Sequence, residues 1–157
     1  MINVSNDTQE KEAKILENLK REQMKLLQKA VALKEQGFEV FIFQADYSDV
    51  RDKPKTDFVG KRIAETISLY KKQGLLKDMS TKKVLVVLGV NNLASFRSDG
   101  GEGKIIDKTK KLTGFNTKVI IDQCSIVRVI YSELSQKCHT TDLTLVARIG
   151  IETPEHD

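Results

Sequence analysis

The stretch Val84-Leu85-Val86-Val87-Leu88-Gly89-Val90 carries no polar side chain. A short, continuous apolar run of this kind fits a strand buried on both faces. Such a strand needs cover above and below, and helices on the two sides of a parallel sheet supply it. Glu39-Val40-Phe41-Ile42-Phe43-Gln44-Ala45 is a second, nearly continuous apolar run. Val119-Ile120-Ile121 predicts a third strand and Thr144-Leu145-Val146-Ala147-Arg148-Ile149 a fourth.

The segments between these runs have helical spacing. Gln9 to about Gln36 is rich in good helix formers, and Ile15, Leu16, Leu19, Leu26, Leu27, Ala30, Val31 and Leu33 recur at mostly helical spacing, so that one stripe can face a core. Residues 57–73 repeat the pattern with Val59, Ile63, Ile67 and Tyr70. Two further helices are predicted over 104–112 and over 126–136, the second capped by Ser125. Gly37, Gly74 and Gly114 stand where helices end. Helix and strand in alternation predict a three-layer α/β domain, with a mostly parallel sheet of about four strands, helices on both faces and a long N-terminal helix. The fourth strand is placed at an edge, with its direction open. The length of 157 residues fits one such domain over 9–151, with a flexible N-terminus over 1–8 and a tail over 152–157.

Composition narrows the class. No apolar run approaches the ~20 residues that span a bilayer, and the polar start lacks the order of a signal peptide. Two cysteines are too few to staple a secreted mini-fold, which points to a reducing, cytoplasmic setting. The formal net charge of +4 is unevenly spread. Residues 51–83 carry +6 and 97–118 carry +3, whereas 39–50 and 119–157 each carry −3. The basic middle offers Lys53, Lys55, Lys61, Arg62, Lys71 and Lys72 as an anion-binding face. A nucleic-acid footprint is usually more concentrated and interleaved with stacking aromatics.

In open α/β sheets, sites gather beyond the carboxyl ends of the strands. Those positions hold Gln44, Asp46, Asn91, Asn92, Ser95 and Asp122, a polar set suited to holding a ligand. Asp46 and Asp122 would make a carboxylate pair if their strands approach, able to bind a cation or move a proton; equally, aspartates there shape turns and cap helices. Cys124 stands just before a predicted helix, where the dipole favours a thiolate, and His139 is a conceivable partner. No set of four zinc ligands is present, and neither a metal nor a cofactor is expected. Asp99-Gly100-Gly101-Glu102-Gly103-Lys104 is glycine-rich, but Ser98 stands where a phosphate loop needs its first glycine and Ile105 where it needs a hydroxyl. This stretch is predicted as a mobile connection or lid.

Residues 51–93 run from Arg51-Asp52 through an amphipathic helix to Lys83-Val84-Leu85-Val86-Val87-Leu88-Gly89-Val90-Asn91-Asn92-Leu93. This quarter of the chain resembles the late portion of the TraB/ChaN/Tiki-type superfamily. Those proteins carry Arg-Asp or Arg-Asn before a helix and then a hydrophobic strand ending Gly-x-x-His. Here the motif reads Gly89-Val90-Asn91-Asn92, with Asn92 in the histidine's place. The superfamily includes metal-dependent hydrolases and haem-linked proteins. The resemblance therefore implies a truncated, inactive relative.

These readings converge on a small, soluble, non-catalytic α/β domain that binds a protein partner or a small-molecule ligand. The alternative is a hydrolase or transferase using Asp46, Asn92, Asp122 and Cys124. A second alternative is binding of an anion or nucleic acid through 51–83.

Overall fold

A computed structural model of the chain describes residues 2–45, 55–138 and 148–149. Helix α1 (Ile2–Glu35) leads into strand β1 (Glu39–Ala45). Helix α2 (Lys55–Lys72), strand β2 (Lys83–Val90), helices α3 (Leu93–Ser98) and α4 (Gly101–Thr113), and strand β3 (Asn116–Gln123) follow. Helix α5 (Cys124–Cys138) and the short strand β4 (Arg148–Ile149) complete the order.

The sheet is parallel, in the order β3-β2-β1-β4. Three of its strands are long. The fourth is described only over two residues, paired parallel to Gln44 and Ala45 at the edge; the rest of the expected fourth strand, 144–147, lies outside the described residues. β2 is central, and its apolar run is buried from Val84 to Val90. Alternate residues divide between two cores. Phe41, Phe43, Val84, Val86 and Leu88 pack with Val59, Ile63 and Ile67 of α2 and Ile105 of α4. Val40, Ile42, Leu85 and Val87 pack with Leu26, Ala30 and Leu33 of α1 and Val127, Ile130 and Leu134 of α5. One layer is thus α2/α4 and the other α1/α5. The α/β architecture with helices on both faces is as the apolar runs predicted.

The helix ends follow from glycine. At the end of α1, Phe38 N–H donates to Leu33 O and Gly37 N–H to Lys34 O, with Gly37 at φ +97°. The same pair of bonds ends α2, from Leu75 N–H to Tyr70 O and from Gly74 N–H to Lys71 O. Only a residue free to turn left-handed closes a helix in this way.

Several boundaries differ from expectation. α1 begins at Ile2, so 2–8, expected as a flexible N-terminus, are helical. The glycine-rich stretch is not a lid, because Gly101, Glu102 and Gly103 form the first turn of α4. Gly101 is buried under the ring of Phe96, which is itself fully buried. β3 extends to both sides of its three-residue apolar centre.

The chain order sets the place of the topological reversal. From β1 to β2 to β3 the strands step in one direction, with α2 and α4 on one face. α5 then crosses the opposite face and β4 lands beyond β1. The crevice of such a sheet therefore opens between β1 and β4.

Candidate functional site

Register brings two of the expected positions, Gln44 and Asp122, into one row with Gly89. Gln44 pairs with Gly89, and Gly89 with Asp122. By alternation all three lie on the α1/α5 face, one rung from the carboxyl end of the sheet. The first turn of α5 sits directly over the middle of this row. A Cβ at Gly89 would come within 3.0 Å of Val127 Cβ, 3.1 Å of Gln44 Oε1 and 3.2 Å of Cys124 Cα. Gly89 thus serves close packing of helix on strand, and the space between Gln44 and Asp122 is filled by α5.

One carboxylate of the row is engaged locally. Asp122 Oδ1 accepts the Gln123 N–H at 2.8 Å, so this carboxylate shapes the entry to α5. α5 begins at Cys124, two residues before the expected start, and Ser125 is within it. Cys124 is half-buried. Asn92 is the residue before α3, and its carbonyl accepts the Phe96 N–H. Ser95 O accepts from both Asp99 N–H and Ser98 Oγ. Asn91 is exposed. Arg97 Nη2 donates to Ile121 O at 3.0 Å and fastens α3 to the end of β3. Asp46 and His139 lie outside the described residues, so neither the Asp46–Asp122 pair nor a Cys124–His139 pair is described. Among the described residues, no three His, Cys, Asp or Glu side chains gather to hold a metal ion.

The six basic residues expected as one anion face are dispersed. Lys53 is outside the described residues, and Lys55 opens α2. Lys71 Nζ donates to Thr113 O at 2.9 Å and lies 5.0 Å from the Phe115 ring. The Arg62 guanidinium stands 5.7 Å over the Phe58 ring. Lys61 lines a shallow α2/α4 groove with Glu65, Lys108 and Lys111. Lys72 is exposed. The physical reason is the helical period, which sends residues 61, 62 and 71 in different directions. A tighter basic group, passed over in the sequence, comes from α4. Lys104 and Lys108 approach Asp57 Oδ1 at 3.3 and 4.0 Å, and Lys104 also donates to Thr56 Oγ1. The spacing of four between these lysines was the available signal.

Two other surfaces stand out. The first half of α1 carries Ile15 and Leu16, 67% and 51% exposed. A groove of about 410 Å³ follows the outer edge of β3 between α1 and α4. No helix among the described residues is long and apolar enough to cross a membrane.

Comparison with known proteins adds no neighbour: no family model, curated protein or solved structure matches the chain.

Proposed function

We propose that this chain is a non-catalytic binding domain that takes an amphipathic helix of a protein partner along the first half of α1. The observation that carries this reading is the apolar stripe of α1. Leu26, Ala30 and Leu33 are buried in the α1/α5 core, and Leu19 packs at its margin. The same stripe continues to Leu16 and Ile15, which are exposed. A helix of 34 residues is about 50 Å long, whereas an eight-residue strand covers about 26 Å. Residues 7–18 are exposed on every side, and a stretch of that length is only marginally helical without packing. A partner helix laid on Ile15, Leu16 and Leu19 would supply the missing packing, with anchors at the helical spacing that groove-bound helices use. Glu10, Lys11, Glu12, Lys14, Glu17 and Lys20 alternate in sign along this half, a surface suited to a helix with mixed flanking charges.

Photo-crosslinking from position 16, in cells that make the chain, is expected to give a discrete protein adduct. Position 14 lies on the opposite side of the helix and is expected to give none. The adduct should map to a helical segment with an apolar stripe. Equal products from both positions, or none from position 16, would sink the reading.

A further inference from the structure

β3 stands at the end of the sheet, with β2 on one side and no strand on the other among the described residues. Asn116 donates its N–H to Lys82 O, toward β2. In a parallel ladder the N–H and C=O of one residue point the same way, and the direction alternates along the strand. Thr117, Val119, Ile121 and Gln123 therefore turn their backbone groups outward. Local partners take two of these groups: Arg97 reaches Ile121 O, and Gln123 N–H meets Asp122 Oδ1. The stretch around Val119 faces the groove, between Lys29, Ala32 and Leu33 on one side and Glu102 and Ile106 on the other.

We propose that two copies of this chain pair through β3, antiparallel about a two-fold axis at Ile120, to form one continuous sheet. The pairing that sets Ile120 against its own copy sets Val119 against Ile121 and Lys118 against Asp122, each twice. The outward-facing residues Val119 and Ile121 then exchange backbone hydrogen bonds, Ile121 O accepting the partner copy's Val119 N–H on its second lone pair beside Arg97 Nη2. Lys118 and Asp122 fall at the positions between those bonds, where facing side chains come closest. Both lie on the face of Ile120, which belongs to the α1/α5 core. Opposite charges directly across a strand pair are favourable, and like charges are not. The neighbouring registers lack this match. Setting Val119 against itself leaves Lys118 facing Ile120, and one step further sets Lys118 against Lys118. β3 also lacks the proline that often guards an exposed edge, and its single lysine is answered by Asp122 in this register alone.

Sedimentation velocity on the full chain, from low micromolar to submillimolar concentration, tests the proposal. The expected result is a reversible shift to twice the monomer mass, with the Val119 amide slowing in hydrogen exchange as the dimer fills. Lys118→Glu is expected to raise the dimer Kd by about tenfold or more. Adding Asp122→Lys to that variant is expected to restore it. Val119→Pro removes an outward N–H that the β2–β3 ladder does not use, and is expected to leave a folded monomer. A chain that stays monomeric throughout overturns the proposal, including one whose edge takes only a foreign extended peptide. A dimer indifferent to both Lys118→Glu and Val119→Pro, or a Val119 amide that stays unprotected, overturns it as well.

Discussion

A side chain added at Gly101 would enter the ring of Phe96, whereas one added at Gly103, two residues on, meets nothing within 4 Å. Both residues lie in the first turn of α4, so the backbone environment is nearly shared and the neighbour decides. Gly101→Ala is expected to destabilise the fold by about 1–3 kcal/mol, the range for overpacking. Gly103→Ala is expected to stabilise it by about 0.5–1 kcal/mol, because alanine has less chain freedom to lose. Denaturant unfolding of the two variants checks the opposite signs. Asp78 offers a second test at this scale. Its carboxylate accepts from Ser80 Oγ at 2.7 Å and from Ser80 N–H at 3.0 Å. These bonds, the side-chain one foremost, hold its pKa below the ordinary value. A carboxyl depressed in the folded state stabilises that state above its unfolded pKa, and the contribution is lost as pH falls through the folded value. Ser80→Ala is expected to raise the Asp78 pKa toward the ordinary value, read by NMR titration; an unmoved titration would show that the backbone bond alone sets it.

Elements differ in what holds them. β2 is buried from Val84 onward, so Leu85→Ala is expected to cost about 2–5 kcal/mol by opening a cavity in the α1/α5 core. Ile15 and Leu16, in the first half of α1, are exposed. The pair Ile15→Glu and Leu16→Glu is therefore expected to leave stability within about 0.5 kcal/mol of the parent. A loss as large as that of Leu85→Ala would mean that this half is already covered within the folded chain. The same contrast explains what the sequence could reveal. β1 was legible from end to end, because burial on both faces leaves a nearly continuous apolar run, Val40 to Phe43, at its centre. Gly37, Gly74 and Gly114 marked helix ends because the left-handed turn selects glycine, and all three have positive φ. β3 was legible only at its centre. An edge strand mixes exposed Asn116 and Lys118 with buried Thr117, and that pattern resembles a loop. α3 and α4 merged into a loop and one short helix in the sequence reading, whereas left-handed Gly100 at φ +77° and the packing of Phe96 on Gly101 set the break between them. In the candidate site, Gln44, Gly89 and Asp122 could each be placed at a strand end. Their common row depends on register, and no local pattern in these residues encodes register. The closing of α5 over Gly89 likewise depends on a helix more than thirty residues further along the chain.

At the scale of the whole molecule, the strand order unites the separate charge segments. Just over half of the basic excess of 51–83 and 97–118 lies on α2 and α4, on the opposite side of the sheet from α1 and α5. β1, β2 and β3 are neighbours in space in the order in which they are made, so each joins a strand already present. The last crossover differs, because β4 must find β1 across a loop of about a hundred residues, a costlier closure. During synthesis the α2/α4 core can therefore be completed by residues up to Gln123. The other core waits, because Val127, Ile130 and Leu134 are the last of its side chains to be made. Until α5 emerges, Val40, Ile42, Leu85 and Val87 have only α1 to cover them. Helix α1, made before the strands it covers, is then also the first guard of an apolar sheet face against neighbouring nascent chains.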